Sequence, residues 1–476
     1  MRTLSVYFIV VLLTAFTSCI KKESENDIPQ LEWMTEVGAK RFPSGSKTYN
    51  ADDFGAVGDA LKMCTSAIQD AIDRCSQEGG GIVTFRPGKY LTGSLFLKDN
   101  VNLHIPKGTV LIGSLELDDY KEIATRVAGI EMSWPAALVN VLEQENVAIT
   151  GDGTIDGRGK VFWDKYYKMR NEYAPKGLRW IVDYDCQRPR GILIADSRDV
   201  TVKDVVLFQP AFWSLHILYS EYVTVDNIII SNNIEGKGPS TDGVDIDSSS
   251  KILVQNSYIN CNDDNFCLKA GRDSDGLRVN RPCEYVVIRD CVAGHGDGLF
   301  TCGSETSGSI RNIVAYNLKG IGTKYGLRFK STMQRGGVIE NIYLSNIEMK
   351  NVRNPFVIDL NWHPSYSNSV LPDGYCFDSL PSHWKQMLTP VPETEGIPKF
   401  RKVFLKNISA QNAITCIRVK GNPKSTIDWF SLDNVVFSGE KPGVLDWCRH
   451  WQFNNFSIQT SSDASLEIAN STDVNI

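Results

Sequence analysis

The chain has 476 residues, and its 50 Lys and Arg residues against 56 Asp and Glu residues give a formal charge of −6. A composition of 42% hydrophobic and 22% charged residues is typical of a soluble globular protein and excludes a disordered or fibrous chain. Mild acidity also argues against a nucleic-acid binder that relies on a basic surface, so we expect no nucleic-acid partner.

The N-terminus has the pattern of an export signal. One basic residue, Arg2, precedes the apolar run 4–16, and small polar residues lead to Cys19. A Cys at this point resembles the lipobox of bacterial lipoproteins, in which the Cys is acylated. We expect a signal peptide over 1–18, a lipid anchor on Cys19 and a tether over 19–48, which is flexible over its polar stretch 21–30. An ordinary signal peptide with an incidental Cys is the alternative.

These features predict an exported protein that is lipid-anchored in a bacterial envelope, periplasmic or at the cell surface. Membrane contact is then expected only through the anchor. The other eleven Cys residues are scattered without paired metal-ligand spacing, so we expect small buried side chains and no metal site.

One helix is predicted near the start of the folded part. Over 66–75 the apolar residues Ile68, Ala71, Ile72 and Cys75 fall on one helical face, and three glycines at 79–81 follow. No helix pattern appears after Ile82.

From there on, a strand-like phrase recurs. The copies lie at 200–205, 223–228, 252–257, 285–290, 312–317 and 341–346. Units of 23 to 33 residues cannot bury their apolar faces alone, so they must stack. The pattern predicts an all-β fold, a right-handed parallel β-helix, with the helix capping its N-terminal end. A propeller is disfavoured because its blades need about 40 residues.

We expect one β-helix catalytic domain over 49–476. Three segments break the period and are predicted to be loops on its flank, near 158–190, 271–282 and 351–398. Insertions in repeat folds tend to lie on the binding face.

Three carboxylates lie one repeat apart. Asp242 precedes the pair Asp263 and Asp264 by about 21 residues, and equivalent positions of neighbouring coils are about 4.8 Å apart. Clustered carboxylates split their pKa values, so one can stay protonated as an acid while another stays a base, as glycoside hydrolysis requires. An isolated Asp-Asp pair is more often only a turn.

Two further pairs share a strand face because their members are two residues apart. His295 and Asp297 form one pair, and Arg328 and Lys330 form the other. Two cations without a nearby acid in the sequence indicate an anion clamp, although a lone Arg-x-Lys is more often a solvated face.

The order Thr-Asp-Gly, Asp-Asp, Gly-His-Gly and Arg-x-Lys resembles the polygalacturonase family of glycoside hydrolases, which cut pectin. The phrases at 269–276 and 303–308 resemble its exo-acting bacterial branch. The resemblance implies inversion, with Asp263 as general acid and Asp242 with Asp264 activating water. It also implies that Arg328 and Lys330 bind a uronate carboxylate, and it requires no cofactor or metal.

Two positions depart from the family pattern. The family usually has Asn where Ser240 stands. Counting back from Gly303 puts Asp297, not His295, in the place of the family histidine. Either His295 has taken over as a catalytic residue, with Asp297 holding its ring or contacting substrate, or the site lacks that imidazole.

The predicted loops also carry candidate substrate contacts. Trp362 and other aromatic residues offer flat surfaces for sugar rings, while Arg272 and Arg278 are candidates for binding carboxylates of an acidic chain. Packing of the loops on the solenoid is the alternative for any single ring.

The resulting hypothesis is an inverting hydrolase that releases galacturonate from the end of a pectic chain. Endo-cleavage and hydrolysis of rhamnogalacturonan are alternatives within the hydrolases. A calcium-dependent pectate lyase and a non-catalytic adhesin are less well supported, because there is no calcium-ligand cluster and because an adhesin would not need the acidic trio.

Overall fold

The structure is a computed structural model and describes residues 28–476. The predicted signal peptide over 1–18 and the lipid anchor at Cys19 lie outside the described residues, so both stay predictions. Within the described part, no helix has the length and apolar character needed to cross a bilayer.

The chain winds into the right-handed parallel β-helix that the repeats predict. Each coil adds strands to three parallel sheets, and each strand pairs with its equivalent in the next coil. Val200 pairs with Val223, for example, and Val254 pairs with Ile288. Inward-facing apolar side chains from successive coils therefore form one continuous core.

The first sheet is called the site sheet below, and its short strands are Leu95–Leu97, Val139–Leu142, Ile192–Ala195, Leu215–Leu218, Val244–Asp247, Phe266–Lys269, Gly298–Cys302, Tyr325–Lys330, Asn354–Asp359 and Glu467–Ala469. The short strands of the second sheet are Thr48–Asn50, Gly81–Thr84, Val101–His104, Glu145–Thr150, Arg198–Lys203, Glu221–Asp226, Ser250–Gln255 and Thr472–Asn475. Those of the third sheet are Asp59–Met63, Gly88–Thr92, Thr109–Gly113, Thr154–Asp156, Val206–Phe208, Ile229–Ser231 and Tyr258–Asn260.

In the C-terminal coils longer strands run around the corner between the second and third sheets. They are Cys283–Ala293, Ile310–Ile321, Val338–Lys350, Lys399–Lys420, Ile427–Asp446 and Cys448–Thr460. Two of them, Lys399–Lys420 and Ile427–Asp446, continue into the site sheet.

Each copy of the repeated strand segment ends in polar residues, and these residues form the turns between the sheets of the coil. Asp204, Asn227 and Asn256 all have φ between 53° and 66°, a left-handed conformation that Asn and Asp adopt more readily than other side chains. Equivalent corners also bond to each other, since the Asn227 amide donates to the Asp204 carboxylate at 2.7 Å. The repeat of Asn and Asp in the sequence thus reflects a repeated turn.

The predicted capping helix is present over Thr65–Gln77. Its buried residues are the four predicted ones, Ile68, Ala71, Ile72 and Cys75. Gly79 and Gly80 follow with positive φ, and the amide of Gly80 donates to the carbonyl of Cys75 to close the helix.

The expectation of no helix after Ile82 was wrong. Further α-helices are Lys160–Tyr173, Val182–Asp185, Asp273–Val279, Pro364–Ser367, Ser382–Met387 and Glu393–Gly396. All lie in the three predicted insertions. These segments cannot pair with a neighbouring coil, so helical hydrogen bonds satisfy their backbones instead.

The insertions pack together on the flank of the site sheet. The residues that form this second core come from the first and third insertions, from an antiparallel hairpin of Glu122–Val127 with Ile130–Pro135, and from the solenoid; they include Trp134, Trp180, Phe212 and Trp384. The insertions therefore form one wall beside the sheet.

The described part of the predicted tether, 28–48, packs against the solenoid. Trp33 makes an edge contact with Tyr285 at 5.4 Å, and the Gly38 amide donates to the carbonyl of Lys251. Arg41 pairs with Asp199 at 2.8 Å. Apolar residues near Trp33 cover apolar side chains on the outside of the second sheet, which fixes this segment in place.

Candidate active site

The register of the site sheet brings the predicted carboxylates together. Asp245 pairs with Cys267 in the next coil, so the preceding residues Asp242 and Asp264 also lie side by side. The amide of Gly243 donates to the carbonyl of Asp264 at 2.9 Å. The carboxylates therefore occupy the point where the chain enters successive strands of this sheet.

Asp264 is a buried, fully bonded carboxylate. One of its oxygens accepts hydrogen bonds from the Gly298 amide, the Thr301 hydroxyl and Arg328, at 2.9, 2.9 and 3.0 Å. The other accepts from Lys330 at 2.7 Å. Burial alone would raise the pKa of this carboxyl, but the charges of Lys330 and Arg328 hold it well below its usual range.

Asp263, its neighbour in sequence, has the opposite tendency. Burial and the negative charges of Asp242 and Asp297 raise its pKa well above the usual range. Its carboxylate accepts one hydrogen bond, from the Asp264 amide at 3.0 Å. The pair thus combines an ionised carboxylate and a carboxyl group that favours its protonated form.

Asp242 has a buried carboxyl group beside a lysine. The Lys269 ammonium lies 3.7 Å from Asp242 and 3.5 Å from Asp245. No hydrogen bond within 28–476 reaches the side-chain oxygens of Asp245. Burial raises the pKa of both carboxyls; the negative charge of Asp245 raises that of Asp242 further, and those of Asp264 and Glu305 raise that of Asp245.

The predicted cation pair faces an acid that the linear sequence hides. Arg328 and Lys330 both bind Asp264, which is 64 and 66 residues away. Both are almost completely buried. The Lys330 ammonium lies 4.3 Å from the centre of the Trp362 ring, so Trp362 belongs to the site, as predicted from its position in an insertion.

The Gly-His-Gly segment places Asp297, not His295, at the carboxylates. The Asp297 amide donates to the carbonyl of Asp263 at 2.7 Å, and its carboxylate lies 3.4 Å from Arg328. His295 is exposed and lies against Gly322. The placement of His295 in the groove was therefore wrong. Gly296, between the two residues, has a positive φ of 147°, so His295 and Asp297 do not share a strand face.

The structure does not bring Arg272 or Arg278 to the site either. Arg272 is buried and donates to the Tyr184 hydroxyl and to the carbonyls of Tyr366 and Ser367, so it ties insertions together. Arg278 is on the surface and pairs with acidic residues of its own helix and of the hairpin. Neither guanidinium is available to substrate, because each already has partners outside the site.

A cavity of about 290 Å³ opens above the carboxylates. The residues that line it are Ala128, Tyr166, Tyr167, Arg170, Arg179, Asp183, Phe212, Trp213, Pro239, Ser240, Asp242, Asn262, Asp263, Lys269, Asp297, Ser304, Glu305, Lys324, Lys330, Trp362, His363 and Tyr366. Some of them belong to the helix Lys160–Tyr173 and to the segment around Trp362. The wall of insertions therefore forms part of the pocket.

Ser240, where the family usually has Asn, is bonded to this wall. Its hydroxyl donates to Asp183 at 2.9 Å and accepts a longer bond from Arg188 at 3.3 Å. Asp183 also pairs with Arg179 at 2.8 Å. Ser240 thus links the coil that carries Asp242 to the first insertion.

Oxygens of Asp242 and Asp264 and the sulfur of Cys267 lie within 4.8 Å of one another, a spacing at which they could hold a metal ion. The Lys330 ammonium is hydrogen-bonded to Asp264 at this point, and Lys269 lies beside Asp242. Since two lysines already supply positive charge to these carboxylates, the group does not resemble a metal centre.

Sequence reasoning missed several lining residues. Lys269 and Glu305 form a buried ion pair at 3.4 Å. Burial raises the pKa of Glu305, but the positive charges of Lys269 and Arg335 have the larger effect and lower it to about 2. Arg170 and Arg179 come from the first insertion. The sequence shows only that both arginines lie in a predicted insertion, because the contacts that bring them to the carboxylates are non-local.

Comparison with known proteins gives a consistent picture. The sequence profile of "Glycosyl hydrolases family 28" matches residues 99–372. The chain is 26% identical to an exo-poly-alpha-D-galacturonosidase of Dickeya chrysanthemi over 88% of its own length and 72% of the relative's. It is also 29% identical to an endo-polygalacturonase of Pectobacterium parmentieri, over 78% and 88% of the two chains.

Among solved structures, the fold matches a hyperthermoactive exopolygalacturonase from Thermotoga maritima. The TM-score is 0.75 at 27% identity, covering 89% of this chain and 95% of the other. Exo-acting and endo-acting enzymes therefore both appear among the similar proteins.

Proposed function

The chain belongs to glycosyl hydrolases family 28 and is a polygalacturonase-like glycoside hydrolase, and we propose that it is an inverting, exo-acting enzyme that releases galacturonate from the end of a pectic chain. The observation that carries this proposal is the pocket above the carboxylates, which is lined by residues of the insertions as well as of the site sheet. Its volume of about 290 Å³ is near the lower end of the range of small-molecule sites, about 300 to 1,000 Å³. Because the helix Lys160–Tyr173 contributes to the lining, we infer that a chain end fits better than an internal segment.

Asp263 is the general acid in this proposal. Its raised pKa keeps the proton on the carboxyl, and that proton passes to the glycosidic oxygen as the bond to the anomeric carbon breaks. Asp297 supports this role, because its negative charge in the adjacent coil disfavours ionisation of Asp263.

Asp242 is the base. A water between Asp242 and the sugar attacks the anomeric carbon from the face opposite the leaving oxygen, and Asp242 takes the proton. Asp264 stays ionised and holds Arg328 and Lys330 in position, since its oxygens already accept four hydrogen bonds, two of them from these cations. Attack from the opposite face converts an α-linkage into a β-product.

A second candidate is hydrolysis of galacturonate linked to rhamnose. Asp297 lies where family enzymes usually have histidine, and it pairs with Arg328 at 3.4 Å and with Lys324 at 3.6 Å. These contacts reduce the positive charge that a uronate leaving group would meet, which favours a neutral sugar there.

Chromatography of the early products distinguishes the candidates. With polygalacturonate, we expect monomeric galacturonate from the first time point and no intermediate oligomers, and Asp263→Asn should release none. A ladder of oligomers would instead identify an endo-acting enzyme. Release of galacturonate from rhamnogalacturonan oligosaccharides alone would favour the second candidate.

A further inference from the structure

The pocket is also lined by two arginines and a histidine that the catalytic scheme does not use. Arg170, Arg179 and His363 all line the pocket, and they come from the first and third insertions rather than from the site sheet. This group is called the wall cluster below.

The wall cluster has more positive charge than its acidic partner can balance. Asp183 is the acid in contact with it, and Asp183 already pairs with both Arg179 at 2.8 Å and Arg188 at 3.1 Å. The side chain of Arg170 makes no hydrogen bond or ion pair with any residue of 28–476. Arg179 and Arg188 therefore share one carboxylate, and the guanidinium of Arg170 has no acidic partner in the described chain.

The guanidinium of Arg179 is fixed in its position in the pocket wall. It is held by Asp183 at 2.8 Å and by the face of Tyr366, whose ring centre is 5.0 Å away. A rigid guanidinium and a second one without an acidic partner, both lining the same pocket, suit a planar anion such as a carboxylate.

By contrast, the cations at the other side of the pocket are already balanced. Arg328 and Lys330 share Asp264, and Arg328 also meets Asp297. A ligand carboxylate placed there would compete with acids of the protein. At the wall cluster it would relieve repulsion among cations.

We propose that the wall cluster is the carboxylate-recognition site for the terminal sugar, with Arg170 and Arg179 binding the C6 carboxylate of the galacturonate that is released. This inference rests on the proposed exo-activity and assigns its specificity to residues of the insertions. It follows that the enzyme selects a free acid at the chain end, and that the neutral sugar galactose binds weakly.

The test uses the products, which the enzyme does not hydrolyse. Calorimetric titration of the whole protein with galacturonate and with galactose gives the preference for the carboxylate. Arg170→Gln removes the charge from a half-buried position on the surface of a helix, so the fold should survive. Lys168→Ala removes a charge from the exposed side of the same helix, outside the pocket, and is the matched control.

We expect the wild-type protein and Lys168→Ala to bind galacturonate about 10- to 100-fold more tightly than galactose, the range of a charge-assisted hydrogen bond. Arg170→Gln should lose most of this preference, and Arg170→Lys should recover part of it. An unchanged preference in Arg170→Gln would overturn the inference.

A kinetic readout separates this inference from the proposed function. The rate of galacturonate release from digalacturonate with a free terminal acid is compared with that from the same disaccharide methyl-esterified at the terminal sugar. Equal rates would overturn the wall-cluster assignment while leaving exo-hydrolysis intact. If neither wild-type protein nor control releases galacturonate from any pectic substrate, the proposed function itself fails.

Discussion

Replacing Asp264 and Asp263 by asparagine should affect stability in opposite ways, although the two residues are adjacent. Asp264 is the counter-ion of two buried cations, with Arg328 at 3.0 Å and Lys330 at 2.7 Å. Asp264→Asn keeps the size of the side chain and its bonds from Gly298 and Thr301, but leaves Lys330 without its carboxylate and Arg328 with only Asp297, at 3.4 Å.

The expected cost follows from this loss. Breaking a buried ion pair by removing one partner costs about 3–5 kcal/mol, because the remaining charge stays buried and uncompensated. The new amide would also direct its own donors at Lys330. We expect Asp264→Asn to lower the free energy of unfolding by at least about 3 kcal/mol.

Asp263→Asn should lower the free energy of unfolding by less than about 1 kcal/mol or raise it, because the exchange keeps the size of the side chain and creates no cavity. The raised pKa of Asp263 indicates that its site favours a neutral group, which an amide provides. Urea unfolding followed by tryptophan fluorescence at pH 7 measures both variants. An Asp264→Asn variant within 1 kcal/mol of wild type would refute the assignment of Asp264 as a structural anion.

The remaining predictions concern activity and pH. Asp263→Asn should lower turnover by about 10² to 10⁴, the value of a general acid, and steady-state kinetics on digalacturonate measures this; more than a tenth of the wild-type rate would place the acid elsewhere. Chelator should leave the rate unchanged, and loss of activity restored by calcium would contradict a metal-free mechanism. Stability measured by thermal unfolding should rise as the pH falls from 7 towards about 4, because the penalty for ionising Asp263, Asp242 and Asp245 disappears. Below about 3.8, the ordinary aspartate pKa, stability should fall as Asp264, whose folded pKa is depressed, becomes protonated; a monotonic loss from pH 7 downward would contradict these directions.

The repeat architecture could be predicted because each coil has the same alternation of apolar and polar residues in its sequence. Strand phrases such as 200–205 and 223–228 carry the same alternation and end in the same polar corner, so local signals add up along the chain. The capping helix was equally clear, since its four buried residues form one face and glycines end it.

The acidic trio could be predicted for the same reason. Asp242 and Asp264 are nearly one coil apart in sequence, and strand pairing makes them neighbours in space. The partner of Arg328 and Lys330 could not be found in this way without the register, because Asp264 lies two coils earlier.

The insertions gave the least reliable predictions. Arg272 and Arg278 were expected at the substrate, but an arginine in an insertion serves equally well to tie backbone carbonyls or to pair on the surface. The helix Lys160–Tyr173, which lines the pocket, has only a weak amphipathic pattern in sequence. What decides these roles is packing between distant segments, which no local pattern records.

The most direct test of the central claim is proton NMR of the product at the first turnover times, with polygalacturonate as substrate. We expect monomeric galacturonate as the sole early product, with the β-anomer signal appearing first and the α-anomer growing only as the free sugar equilibrates. An α-anomer at the first time point, or oligogalacturonides in place of the monomer, would contradict an inverting exo-hydrolase.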